Sequence, residues 1–294
     1  MAASSNVPPE SISKVVHSAD GTPIYAEALG DPSKPALVFI HGFVVSLICF
    51  DDIFSDPKWR EAVYLIRYDT RGHGRSGKPD AAEAYESRRM SEDYMAVTAA
   101  FGVTKAFIVG WSMGGSFAAD VCAHPGPDVL HGIVFMDCVP FCQPAVVMGI
   151  TTPALGALVP GLLTTDDVAL FSRTILEFIE SCAYDKTRMS YRTRAALLGD
   201  SILQPPAVRN AAFTRTTDPA PFLKAGATLP LLFLHGREDE HLVAERVLEV
   251  IQPSFGERLE VHILEGVGHG PFIDAPEKTR ELVLDFVKRV VGNV

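Results

Sequence analysis

Six short, almost uninterrupted apolar runs punctuate the chain, with longer segments of helical period between them. They are ALVFI (36–40), AVYLIRYD (62–69), KAFIVG (105–110), GIVFMD (132–137), PLLFLHG (230–236) and LEVHILEG (259–266). A strand wetted on one face alternates apolar and polar residues, whereas one covered on both faces does not. The runs therefore predict an α/β fold, a mostly parallel sheet between helix layers with right-handed crossovers. Ahead of them, SKVVHSADGTPIYAEALG reads as two strands around an Asp20-Gly21 turn. Helices are expected at SEDYMAVTAAF (91–101), capped by Ser91, at GGSFAADVCAH (114–124) and at APEKTRELVLDFVKRV (275–290).

The interval between the strands at 132–137 and 230–236 breaks this rhythm and predicts a helical insertion. In its second half, Val168, Phe171, Ile175, Phe178, Ile179 and Cys182 recur on one helical face. The expected organisation is a core over 1–138, a helical segment over 139–228 and the rest of the core over 229–294.

The insertion opens with CVPFCQPAVVMGITTPALGALVPGLLTT (138–165), which has no charged side chain. On length alone it could cross a bilayer. Pro140, Pro144, Pro153 and Pro160, with Gly149, Gly156 and Gly161, would interrupt such a helix repeatedly. No basic cluster or aromatic belt flanks it. The reading is no membrane span but an apolar lid, with Val146, Val147, Met148, Leu155 and Leu158 over a hydrophobic binding pocket.

Charge excludes another class. The formal net charge is −10 and no basic stripe is present, so binding to nucleic acid through counterion release is not expected. The five cysteines show no C-x-x-C or Cys/His ligand spacing and read as reduced, buried thiols. The N-terminal MAASSNVPPESIS lacks the basic and apolar regions of a secretory signal, which makes the cytoplasm the expected compartment.

Chemistry is concentrated at Gly110-Trp111-Ser112-Met113-Gly114, a G-x-S-x-G placed where a strand becomes a helix. A serine at such a turn projects its Oγ above the sheet, and the flanking glycines leave room for the sharp bend. Serine needs a base to become a useful nucleophile. Folds with this elbow place their residues in the order serine, acid, histidine. His269 follows the last strand in GVGHGPF, and the acid falls within HGREDEHL (235–242), where Glu238, Asp239 and Glu240 are consecutive. Asp137, at the end of the strand before the insertion, is the reserve acid, because strand ends converge on one face of such a sheet. His41, His73 and His235 read as structural. No H-E-x-x-H or carboxylate cluster accompanies them, and neither a metal nor an organic cofactor is expected.

A tetrahedral intermediate needs donors aimed at its oxyanion. The backbone N–H of Met113 supplies one, and that of Phe43, in the loop after ALVFI, supplies the second. Phe43 and Trp111 are also expected to line the substrate pocket.

The segments HGF (41–43), YDTRGHGRSGKP (68–79), GWSMGG (110–115), HGREDE (235–240) and GVGHGPF (266–272) resemble the α/β-hydrolase superfamily. Within it the chain is most similar to the cofactor-free group of non-haem chloroperoxidases, aryl esterases and enol-lactone hydrolases. The resemblance implies an eight-stranded, mostly parallel sheet with a helical cap after the sixth strand. It also implies Ser112 as nucleophile, His269 as base and Asp239 as the acid, three residues after the glycine. Val44-Val45 stand where many relatives carry proline or glycine. Epoxide hydrolases and haloalkane dehalogenases of this fold carry a carboxylate at the elbow, so Ser112 points away from them.

The expected function is hydrolysis of a small hydrophobic carboxylic ester or lactone through an acyl-enzyme. An acyltransferase or thioesterase would use the same three residues with a different acceptor. A hydrolase-fold receptor would keep the pocket without turnover.

Overall fold

The computed structural model describes residues 11–292. Most of the N-terminal segment read above for a secretory signal, residues 1–10, lies outside them. Eight strands form one sheet: β1 (Ile12–His17), β2 (Pro23–Leu29), β3 (Ala36–Ile40), β4 (Tyr64–Tyr68), β5 (Ala106–Trp111), β6 (Leu130–Met136), β7 (Leu231–Gly236) and β8 (Leu259–Leu264). Their order is β1-β2-β4-β3-β5-β6-β7-β8. The pairs β1/β2 and β2/β4 are antiparallel and all others parallel. Each of the six apolar runs is a strand, and the Asp20-Gly21 turn closes the β1–β2 hairpin with Gly21 at φ 83°.

Why the runs are apolar throughout is visible in the two cores. Leu37 and Phe39 of β3 pack on one side of the sheet, while Val38 and Ile40 pack on the other. Every residue of β3, β4, β5 and β7 is buried. Burying one such side chain contributes about 1.5–3 kcal/mol, which is why only Arg67 and His235 bring a charged or basic side chain into these four strands. Arg67 is satisfied by Glu27 and Asp51.

Beside three short helices (Asp51–Ser55, Pro57–Ala62 and Pro271–Asp274), the described residues form α1 (Ser87–Ala100), α2 (Phe117–Ala123), α3 (Pro144–Ile150), α4 (Pro153–Leu163), α5 (Val168–Glu180), α6 (Tyr191–Leu203), α7 (Pro206–Thr214), α8 (Ala220–Ala225), α9 (Ala244–Phe255) and α10 (Pro276–Gly292). The segment between β6 and β7 contains helices α3 to α8 and no strand. The Ser91 cap expected from the sequence is not formed. The helix already starts at Ser87, and the Ser91 hydroxyl donates to the Arg88 carbonyl one turn back. Val168 leaves the apolar face predicted for α5, being 78% exposed at the first helical position, while Phe171, Ile175, Phe178 and Ile179 are buried. All five cysteines are buried free thiols.

The uncharged stretch makes α3 and α4, of 7 and 11 residues. Pro144 and Pro153 each sit in a first helical turn, where proline's missing N–H costs nothing. Among the described residues no helix is long and apolar enough to cross a membrane.

Candidate active site

Ser112 stands at the point where β5 turns through a 3₁₀ segment (Ser112–Ser116) into α2. Its φ of 54° lies in the left-handed region that non-glycine residues avoid. The flanking glycines permit this. A Cβ on Gly114 would lie 2.1 Å from the Ile40 carbonyl oxygen, and one on Gly110 would lie 2.5 Å from the Gly115 Cα. Gly114→Ala is expected to lower stability by about 1–3 kcal/mol through overpacking, read as a lower urea midpoint at unchanged slope.

The loops after β7 and β8 bring the acid and the histidine together. His269 Nδ1 lies 3.0 Å from Asp239 Oδ2 and 3.1 Å from Oδ1, with both side chains 1% exposed. A carboxylate on Nδ1 fixes the tautomer with the proton there and leaves Nε2 as a lone pair. His269 Nε2 has no hydrogen-bond partner among the described residues. Burial alone would raise Asp239, but His269 and His235 beside it hold its carboxyl well below the usual range. The His241 backbone N–H adds a 2.6 Å bond to Oδ1.

Glu238 joins the two loops. Its Oε2 accepts from the Val267 N–H at 3.0 Å, and its own N–H donates to the Val267 carbonyl at 3.0 Å. Glu240 is exposed. Asp274 holds the histidine loop from the other side, accepting from the N–H groups of Gly268, Tyr184 and Asp185.

On the far wall, His41 does structural work. Its Nδ1 donates to the Gly42 carbonyl and its Nε2 accepts from the Thr70 N–H, with burial lowering its pKa. Next to it, Phe43 N–H has no acceptor among the described residues. Val44 then takes φ 58°, a strained conformation for a β-branched residue. Ser201 of α6 pins that turn by donating to the Val44 carbonyl at 2.9 Å.

A cavity of about 710 Å³ opens over Ser112, bounded by Phe43, Met113, Phe213 and the helices α3 and α4. Of the residues predicted to meet substrate, Phe43, Val147, Met148 and Leu155 border it. Three do not. Val146 packs on one core cluster and Leu158 on the other, each turned away by its position on the helix. Trp111 is buried in the scaffold, where its indole N–H donates to the His269 carbonyl at 2.7 Å.

Sequence reasoning passed over His241 and Arg215, both of which border the cavity. The His241 ring lies 4.1 Å from that of His269, centroid to centroid. Ser181 gives its one hydroxyl proton to the Phe178 carbonyl and so accepts from His241 Nε2 at 2.7 Å. Arg215, at the end of α7, grips Asp120 of α2 with both partners buried. A histidine two residues after an acid and an arginine after a helix carry no local signature; only the folded chain shows what they touch.

Asp137, Asp239 and His269 are the one trio among the described residues whose donor atoms converge within 4.8 Å, close enough to hold a metal ion. His269 Nδ1 is already engaged by Asp239, which leaves the trio poorly disposed for that role.

A sequence model described as the Alpha/beta hydrolase family matches residues 37–282. The chain belongs to that family. Among solved structures, this hydrolase superposes on a putative aryl esterase from Burkholderia cenocepacia with a TM-score of 0.85 and 27% identity, covering 96% of this chain and 100% of the other. The esterase RhEst1 from Rhodococcus sp. ECU1013 gives a TM-score of 0.83 and 27% identity over 95% and 99% of the two chains. By sequence, 88 residues are 35% identical to the probable oxidoreductase EphD of Mycobacterium bovis. That match takes in 30% of the hydrolase but only 14% of the relative's length.

Proposed function

We propose that this hydrolase cleaves carboxylic esters or lactones with an apolar acyl group, using Ser112, His269 and Asp239 as a catalytic triad. The observation that carries the reading is the His269 imidazole, fixed through Nδ1 on a buried carboxylate with its Nε2 lone pair uncommitted. In acylation, Nε2 takes the Ser112 hydroxyl proton as Oγ attacks the carbonyl carbon. Asp239 holds the tautomer and stabilises the imidazolium. The N–H groups of Met113 and Phe43 receive the oxyanion. His269 then protonates the leaving alkoxide. In the second half, His269 deprotonates water, which releases the acid and regenerates Ser112. The esterase neighbours support this class of reaction.

The test is covalent. A fluorophosphonate probe should label wild-type protein and leave Ser112→Ala unlabelled, and labelling of both would overturn the assignment. A wild-type protein that takes neither probe nor ester would be a receptor. Added alcohols that compete with water for the acyl group would mark a transferase.

The character of the cavity supports the substrate class, because its wall is supplied largely by the uncharged α3–α4 segment. Leu155→Asp is expected to lower kcat/KM for hexanoyl esters about tenfold while acetyl esters change less, since burying a charge beside an acyl chain penalises the longer chain. A panel of p-nitrophenyl esters reads this out, and an unchanged chain-length profile would exclude α4 from the acyl site.

A further inference from the structure

Next to the triad is a second carboxyl that this mechanism leaves unused. Asp137 directly follows β6, is fully buried and adopts a left-handed backbone with φ 46°. Its Oδ1 accepts the Gly236 N–H at 2.8 Å, whereas its Oδ2 has no hydrogen-bond partner among the described residues. One of its carboxyl oxygens lies within 4.8 Å of one of Asp239's.

The groups facing this pair can be counted. Asp239 receives His269 Nδ1 and the His241 N–H, and His235 Nε2 lies 3.2 Å from its Oδ2 and 3.6 Å from Asp137 Oδ1. Cys138 adjoins Asp137 in sequence, and Cys182 faces the pair from the end of α5; both are buried thiols raised above their usual range by burial. His235 Nδ1 has no acceptor among the described residues, so a second proton on that ring would be stranded. Among the described residues no lysine or arginine pairs with either carboxyl. Two adjacent, dehydrated carboxylates repel, and one proton between them removes the repulsion. Two carboxyl groups in contact also form a hydrogen bond only when one carries that proton.

We propose that Asp137 is a positioning residue for the triad: a neutral carboxylic acid that donates its Oδ2 proton to Asp239 and so holds that carboxylate square to His269. Burial, with the Asp239 charge adding to it, outweighs the opposing pull of His235, itself raised to about 9 by the two carboxyls against its burial, and holds the Asp137 carboxyl well above the ordinary range. The proton stays on Asp137 through the cycle; the one that moves passes between Ser112 and His269. The proposal rests on the triad reading above.

Asp137→Asn keeps an oxygen for Gly236 N–H and an N–H for Asp239, whereas Asp137→Leu keeps neither. With p-nitrophenyl butyrate, kcat of the Asn variant is expected within about threefold of wild type. That of the Leu variant should fall about ten- to a hundredfold at unchanged KM, the effect of losing one hydrogen bond to a charged group. Equal losses in the two variants, or a Leu variant with wild-type kcat, would overturn the proposal. Should the Leu variant not fold, the infrared difference spectrum between wild type and Asp137→Asn at neutral pH decides. A carboxylic-acid C=O band present only in wild type supports the proposal. Its absence would mean that Asp137 is ionised against a His235 cation, and a stoichiometric divalent metal in the purified protein would mean that an ion replaces the proton; either overturns it. Ser112→Ala separates the two readings: full activity there would sink the triad, while the infrared band would still report on Asp137.

Discussion

Ser112→Ala is expected to lower kcat by roughly 10⁴- to 10⁶-fold, the effect of removing a nucleophile whose base and acid have no other work in the reaction. The loss should not deepen when His269→Ala is added, because members of such a unit fail together. Substrate binding should survive, since the cavity wall is built from Phe43, Phe213, α3 and α4 and does not need the hydroxyl. Stability should survive too, because the strained φ at 112 is imposed by the neighbouring glycines and alanine keeps the same backbone. Stopped assays on p-nitrophenyl esters beside a urea titration check all three. A Ser112→Ala protein with wild-type turnover would remove the basis for the mechanism.

The largest stability effect is expected at Arg215. Its Nη1 lies 2.9 and 3.1 Å from the two Asp120 oxygens, its Nη2 bonds Ser116 Oγ at 2.5 Å, and Ser116 in turn donates to the Met113 carbonyl. One guanidinium thus links the insertion to the helix behind Ser112 and, through Ser116, to Met113, whose N–H is the proposed oxyanion donor. Arg215→Ala leaves the buried Asp120 without its cation and should cost about 3–5 kcal/mol. Replacing both partners, Arg215→Met with Asp120→Leu, should recover most of that, because an apolar pair strands no charge. The sign of the pH dependence follows. Burial raises Asp120 even in the wild-type fold. A carboxyl raised above its unfolded value favours the fold below the unfolded pKa and loses that contribution as pH rises through the folded one. The Arg215→Ala deficit should therefore shrink towards acid and widen towards neutrality. Urea midpoints across that range measure it, and a deficit independent of pH would place the cost elsewhere.

The strands and the elbow were legible because each leaves a local trace. A doubly covered strand tolerates almost no polar residue, and G-x-S-x-G at a strand end needs its glycines for reasons of space that the structure puts at 2.1 Å. Helix ends left a weaker trace: Ser91 had the chemistry of a cap but fell inside α1. The lid residues show where patterning stops informing. Val146 and Val147 are identical neighbours in sequence, yet only Val147 borders the cavity, because one step around a helix turns a side chain by about 100°. His241, Asp274 and Arg215 each have at least one partner more than 50 positions away, Ser181, Tyr184 and Asp120, which no window along the chain could reveal.

The junction between α3 and α4 is sewn to the loop that carries the acid. Thr152 N–H donates to the His241 carbonyl at 2.9 Å, Val243 N–H donates to the Ile150 carbonyl at 2.8 Å, and Thr151 faces Leu242 in a short antiparallel bridge. Swinging α3 outward would break these bonds at about 1 kcal/mol each and drag on His241, whose N–H steadies Asp239. The entrance therefore has one hinge-less jamb. Bulk that a substrate adds on that side is resisted by the same backbone that holds Asp239 against His269.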